Sequence, residues 1–411
     1  MRIESGFFKE NRDAFLNRLP EGTAVFIFAG DSRPMSQDDD YRFLPDRNFY
    51  YLTGLDYKGG KLILTRKENE SRIMLFAPEK DDMKERWHGK RPSFAELSKI
   101  SGISEDDIYP EGDFEDKKFD VLKEEFKLAY DGTSVAEATK HFAAEKDAVL
   151  DIGEILTRMR MVKREPEIEC IKEAAKITEA ALSEMKEYIK PGCTELDIFA
   201  PLEFGMEKRG TLIPAFATIT AIGENAFYLH HSIPEGEEGP VAEVGGQIQI
   251  DVGARVCGYC ADISRVYFVG DKTGEDDKRF LLLELIKDLR KNAFAFIKPG
   301  VTFNDLNEHM WEIVGRWLTK NGLAGEEPTK EDIKKYYWHN TSHHLGLDVH
   351  DISLRELPFE KGNCLAVEPG VYIPEWGVGF RIEDDVLVTE EGSELLSSGN
   401  DDVSDIVVAV R

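Results

Sequence analysis

The chain has 411 residues, enough for two domains or one large one, and its 41% hydrophobic and 32% charged composition is that of a soluble globular protein. Its 79 acidic against 52 basic side chains leave a formal charge of −27. A surface of that sign repels phosphate backbones and anionic lipid, which disfavours nucleic acid and membrane surfaces as partners.

The first residues, MRIESGFFKENRDAF, carry charge where a signal peptide has its apolar centre, and no run of about 18 apolar residues follows. Five cysteines are an odd number, and a chain of this length needs no disulfide framework. The expectation is a reduced, cytoplasmic protein. Val25-Phe26-Ile27-Phe28, Lys61-Leu62-Ile63-Leu64 and Arg72-Ile73-Met74-Leu75-Phe76 read as strands. Between residues 94 and 130, apolar residues recur at helical spacing. A longer helical pattern runs from about Ala136 to Val162, and Pro166 takes the first-turn position of another over 165–188. The boundary is placed on that connecting helix, giving domains at 1–160 and 161–411. No Gly/Ser-rich linker parts them, so two packed domains are expected.

The second domain conceals a repeat. Ile189-Lys190-Pro191-Gly192-Cys193-Thr194 returns as Ile297-Lys298-Pro299-Gly300-Val301-Thr302. Each copy reads as helix, Pro-Gly stop, Thr cap, helix, with the second helices over 195–209 and 303–320. Further on, each half carries a strand pair on one template: an acid, any residue, Gly; a turn; then Gly, an aromatic, two residues and an acid. The first copy runs from Asp251-Val252-Gly253 to Gly258-Tyr259-Cys260-Ala261-Asp262. The second runs from Glu368-Pro369-Gly370 to Gly379-Phe380-Arg381-Ile382-Glu383. Two hairpins would each present two carboxylates from adjacent strands, and facing halves would converge four of them.

Four carboxylates gathered in a protein interior repel one another and protonate unless a cation compensates them. Two divalent ions would balance the charge. Of the nine histidines in the chain, four fall between His339 and Asp351, beside the second hairpin, and His230-His231 precedes the first. Oxygen ligands with one imidazole suit Mn²⁺ best, with Co²⁺, Fe²⁺ or Zn²⁺ as substitutes. No cysteine belongs to the set, which argues against a structural zinc site.

With these residues in hand, the whole chain resembles the Xaa-Pro aminopeptidases (aminopeptidase P), members of the pita-bread metallopeptidases with prolidase, methionine aminopeptidase and creatinase. The resemblance rests on His343-His344-Leu345-Gly346-Leu347-Asp348-Val349-His350-Asp351, Glu368-Pro369-Gly370-Val371-Tyr372 and Arg381-Ile382-Glu383-Asp384-Asp385. In the first domain it rests on Arg47-Asn48-Phe49-Tyr50-Tyr51-Leu52-Thr53-Gly54 and Glu85-Arg86-Trp87-His88-Gly89-Lys90-Arg91. It implies an α+β protein: a smaller N-terminal α/β domain, then a pita-bread domain of pseudo-twofold duplicated halves. It implies two metal ions per subunit on Asp251, Asp262, His343, Glu368 and Glu383, with Asp262 and Glu383 bridging. A metal-activated hydroxide would then hydrolyse the bond before a second-position proline, with Glu368 as general base. His350 and His230 match positions that stabilise the tetrahedral intermediate and hold substrate. His339 matches one lining the proline site, and Arg381 and Tyr372 match residues that orient the ligands. The Trp87 loop matches one that reaches a neighbouring subunit's site, implying a homodimer or homotetramer. Asn340 and the segment His231-Ser232-Ile233-Pro234 depart from the family pattern, and the connection from Glu368 to Glu383 is short.

A lone Cys257-x-x-Cys260 lies in a hairpin turn and reads as structure rather than a redox or zinc site. Asp384 and Asp385 read as supporting groups, not ligands. The competing functions are an Xaa-Pro dipeptidase (prolidase) on the same scaffold, a creatinase-like hydrolase, and a non-catalytic peptide-binding module. The intact five-residue set argues against the last two.

Overall fold

The computed structural model describes residues 2–68, 70–131, 150–270, 274, 277–397 and 407–408, which divide into two compact units, 1–159 and 160–411. No helix among them is long and apolar enough to cross a membrane.

In the first unit, the apolar runs form the centre of a six-stranded sheet. Its strands are β1 (Thr23–Phe28), β2 (Lys61–Lys67), β3 (Glu70–Ala77), β4 (Ile108–Pro110), β5 (Lys127–Tyr130) and β6 (Leu150–Asp151), in the order β4-β3-β2-β1-β5-β6. Every residue of β1 is buried, as a central strand covered on both faces requires. Helices α1 (Ser5–Arg18), α2 (Arg47–Thr53), α3 (Asp82–His88), α4 (Phe94–Ser101) and α5 (Phe114–Lys123) intervene. The Asp46 carboxylate caps α2 by accepting from Asn48 N and Phe49 N. The helical pattern expected from Ala136 to Val162 is corrected here. Residues 136–149 lie outside the described residues, and Leu150–Asp151 form a strand pairing with Ala129 and Tyr130; helix begins only at α6 (Gly153–Met161). Tertiary pairing overrides a helical periodicity that short segments cannot enforce alone.

The second unit is built twice. Its first half comprises α7 (Glu165–Met185), α8 (Glu195–Glu207), β7 (Ile219–Ile222), β8 (Gln247–Val252), β9 (Arg255–Val256), β10 (Tyr259–Cys260) and β11 (Ile263–Val269). The second half comprises α9 (Lys278–Phe296), α10 (Phe303–Lys320), α11 (Lys330–Lys334), β12 (Ser342–His344), β13 (Cys364–Val367), β14 (Gly370–Ile373), β15 (Val378–Arg381), β16 (Asp384–Val388) and β17 (Ser393–Leu395); a short β18 (Val407–Val408) follows. Each half has a four-stranded sheet, β18-β11-β8-β7 and β12-β13-β16-β17.

The repeated hexapeptides do the same work in both halves. Gly192 and Gly300 take φ of 84° and 92°, a left-handed turn open to glycine. Thr194 and Thr302 then cap α8 and α10 through matching boxes. Thr Oγ1 accepts from Asp197 N at 3.2 Å and from Asp305 N at 3.1 Å, and each aspartate accepts from its threonine N at 2.9 Å.

Strand β8 explains how the halves are joined. All six of its residues are buried, and they alternate polar and apolar. Ile248, Ile250 and Val252 belong to the first half's core with Ile198 and Leu202. Gln247 and Gln249 turn to the second half, where Gln247 Oε1 accepts from Gly379 N at 3.2 Å and Gln249 Oε1 from Arg381 N at 2.9 Å. The third residue on that polar face is Asp251.

Candidate active site

The four template acids sit where paired strands end. Asp251 lies near the end of β8, Asp262 just before β11, Glu368 just after β13, and Glu383 just before β16. The register of β13 with β16 and of β14 with β15 leaves Glu368 and Glu383 at the joint between two ribbons. His343 stands at the centre of β12, opposite Ala366 of β13.

These side chains meet. His343 Nε2 is 3.4 Å from Asp262 Oδ2 and 3.8 Å from both Glu368 Oε1 and Glu383 Oε1. Its Nδ1 lies 3.1 Å from the His344 carbonyl, which can only accept. Nδ1 therefore donates to that carbonyl, and Nε2 faces the acids. Arg381 donates to Asp251 Oδ2 and, at 3.2 Å, to the Leu229 carbonyl.

The donor set fits divalent cations. Asp251 Oδ1, Asp262 Oδ1 and Glu383 Oε1 are buried and find no hydrogen-bond partner in the structure, an expensive condition for carboxylate oxygens. Burial, together with Asp251 for Asp262 and Asp262 for Glu383, pushes both acids well above the usual carboxylate range. Asp262, His343 and Glu383 offer ligand atoms within 4.8 Å of one another. Positive charge would relieve both the orphaned oxygens and the repulsion.

A cavity of about 310 Å³ opens over this group, and all five predicted ligands line it. So do His230, His339, His350 and Arg381. Tyr372 is buried behind His339 and reaches its Nε2 with the hydroxyl at 3.1 Å. His339 Nδ1 donates to the Asn340 carbonyl at 2.9 Å, which fixes the ring's orientation. Trp87 belongs to the first unit, where its side chain on α3 is 81% exposed.

Several contributors escaped the sequence reading. Ser353 and Arg355 also line the cavity, and nothing in their local pattern marked them; His344 of the His-rich segment lines it too, without having been assigned a role. Asn340, a departure from the family pattern, accepts from Asn307 Nδ2 at 3.1 Å, while Asn307 Oδ1 accepts from Thr341 N at 2.9 Å. Asp385 Oδ2 accepts from Asp262 N at 3.1 Å, and Asp384 pairs with Arg265 and Arg290. Both thus support the ligand strand.

Asp351, next to His350, is held hardest. Lys163 Nζ donates to its Oδ2 at 2.9 Å and Arg160 to its Oδ1, with both lysine and aspartate side chains 1% exposed. Gly346 leaves room for the pair: a Cβ there would stand 2.2 Å from Asp351 Oδ2. Burial alone would raise the Asp351 carboxyl, but Arg160 and Lys163 outweigh it and hold it at about 2. That lies below the roughly 3.9 of an unfolded aspartate. The pairing therefore stabilises the fold by about 2 kcal/mol above pH ~4 and loses this as pH falls toward 2. Lys163→Met is expected to cost about 3 kcal/mol at neutral pH by leaving a buried charge short of a partner. It should also shrink the acid loss between pH ~4 and 2, because the Asp351 carboxyl is then held less far below its unfolded range. Urea midpoints measured across pH check both, and a profile superimposable on that of the unaltered chain would contradict the pairing.

A duplicated hairpin fold that gathers four acids and His343 at one cavity has the make-up of a metal-dependent hydrolase. Residues 169–390 match metallopeptidase family M24, and residues 8–129 match the aminopeptidase P N-terminal domain. The chain belongs to metallopeptidase family M24. It is 28% identical to the Xaa-Pro aminopeptidase 3 of Mus musculus over 91% of this chain and 78% of that one. It is 26% identical to the Xaa-Pro aminopeptidase of Haemophilus influenzae over 95% and 94% of the two chains. The solved aminopeptidase PepP of Pseudomonas aeruginosa superposes with a TM-score of 0.89 at 26% identity, covering 98% of this chain and 97% of that one.

Proposed function

We propose that the chain is an Xaa-Pro aminopeptidase, releasing the N-terminal residue from peptides with proline second, and that residues 161–411 carry the catalysis. The observation that carries this reading is the convergence of Asp251, Asp262, His343, Glu368 and Glu383 on one cavity, with buried carboxylate oxygens that nothing else satisfies. Those five would hold two divalent ions, Mn²⁺ by preference among oxygen donors with one imidazole. Such ions polarise the scissile carbonyl and acidify water.

The chain's own groups divide the remaining work. Glu368 serves as general base and returns the proton to the leaving nitrogen; its Oε2 is 3.4 Å from His339 Nδ1. His230 and His350 present imidazoles at the cavity wall to the tetrahedral carbon's oxygen and to the substrate. His339, held by Tyr372, flanks the proline ring. Arg381 fixes the Asp251 carboxylate in position. The exposed Trp87 supports assembly into a homodimer or homotetramer in which this loop meets a neighbouring copy. The charge of −27 supports a peptide rather than a nucleic acid or membrane as partner, and the odd count of five cysteines supports a reducing, cytoplasmic location.

Peptide length tests the reading against a dipeptidase. An Ala-Pro-Ala tripeptide is expected to yield free alanine and Pro-Ala, at a higher kcat/KM than hydrolysis of Ala-Pro. Cleavage of the dipeptide alone would overturn the proposal in favour of prolidase activity.

A further inference from the structure

The loop that carries His230 to the cavity is gathered from behind by one carboxylate. Glu195 is the first residue of α8, and its side chain is wholly buried. Its Oε1 accepts from Ile222 N and Asn225 Nδ2, both at 2.9 Å. Its Oε2 accepts from Glu235 N and His231 Nε2, both at 2.8 Å. The entry, middle and exit of residues 222–235 therefore converge on a single group. Glu195, His231 and Glu235 could also be taken for a cation site, since their ligand atoms lie within 4.8 Å of one another. The hydrogen bonds decide otherwise: both Glu195 oxygens are already occupied by N–H donors, leaving no orphan for a metal to satisfy.

The two adjacent histidines have opposite duties. His230 lines the cavity, while His231 turns back to Glu195. On the cavity side, the Leu229 carbonyl is held by Arg381, the residue that also grips Asp251. The loop is thus tied at its back by Glu195 and at its front to a ligand-bearing strand. Charge-assisted bonds to a buried carboxylate are strong and directional, which suits a group that must hold a loop still.

We infer that Glu195 is a positioning residue for the reaction, acting through the 222–235 loop to aim His230 at the substrate. This rests on the role proposed for His230. Glu195→Gln places an amide N–H₂ among groups that donate, so it loosens the loop without changing side-chain size. Hydrogen exchange of the full chain, with and without metal, is expected to show the 222–235 amides opening at least about tenfold faster, with β8 unchanged. Cleavage of an Xaa-Pro tripeptide should fall roughly 10- to 100-fold in kcat/KM. In a His230→Ala background, adding Glu195→Gln should change kcat/KM by less than about twofold, because the two act through one path. If Glu195→Gln does not fold, His231→Ala is expected to loosen the loop more mildly and His231→Gln, which keeps a donor, to restore it. Unchanged exchange in the loop, equal acceleration in β8, or additive losses with His230→Ala would each overturn the inference. If the unaltered chain leaves Xaa-Pro peptides intact, the proposed function fails, while the exchange pattern still decides the clasp.

Discussion

Glu368→Ala is expected to lower kcat on an Xaa-Pro tripeptide by about 10⁴-fold, the upper range for loss of a general acid–base group. Two losses combine in this one change. The side chain lies 3.8 Å from His343 Nε2 and lines the same cavity as Asp262 and Glu383, so its removal withdraws one of the proposed metal ligands. At 18% side-chain exposure, it is also the most accessible of the three acids ranged around that imidazole, and so the best placed to exchange a proton with water and substrate. Glu368→Gln separates the roles, since an amide oxygen can still coordinate but the group cannot take up a proton. Bound metal should fall in the alanine variant and stay closer to normal in the glutamine one, while both remain roughly 10²-fold or more below normal in kcat. Steady-state rates measured beside metal content decide the matter. Near-normal turnover by the alanine variant would refute the site assignment.

What could be read ahead of the structure was whatever the chain writes locally. The Pro-Gly-x-Thr punctuation, the two acid-x-Gly hairpins and the His-rich segment all encode their geometry within a few residues. Each proved to occupy the place its pattern implied: Thr194 and Thr302 cap helices, and the four acids meet at strand ends. The stitching between halves was not legible. Gln247 meets Gly379 and Lys163 meets Asp351 across 132 and 188 residues of chain. A polar residue in a strand pattern does not announce which distant backbone it will satisfy. The two glutamines of β8 look like a solvent face by alternation alone, yet they are buried against the second half. Glu195 was hidden for a related reason. As an acid in the first turn of a helix it already has a sufficient local explanation, so its grip on residues 222–235 leaves no trace in the pattern. The strand at Leu150–Asp151 was missed because its partners, Ala129 and Tyr130, supply what two residues cannot.

Removing divalent metal is expected to abolish activity and to lower thermal stability in the same step. Asp251, Asp262, Glu368 and Glu383 bring four carboxylates together beside the His343 imidazole, with the Arg381 guanidinium donating to Asp251. Without cations, Asp262 is driven toward protonation by burial and by Asp251, and Glu383 by burial and by Asp262. Ions that bind only the folded chain stabilise it by about 4 kcal/mol per site at a thousand times the dissociation constant. For a protein of this size, that should raise the unfolding midpoint by roughly 5 °C per ion. A chelated sample should therefore melt earlier and cleave nothing, and graded metal addition should restore both properties together. Mn²⁺ is expected to restore the most activity, because four of the five proposed ligands are hard carboxylates and no thiolate joins them. Recovery with Zn²⁺ alone would contradict that ordering. Activity surviving exhaustive chelation, with the melting curve unmoved, would mean that the orphaned oxygens of Asp251, Asp262 and Glu383 answer to something other than a metal.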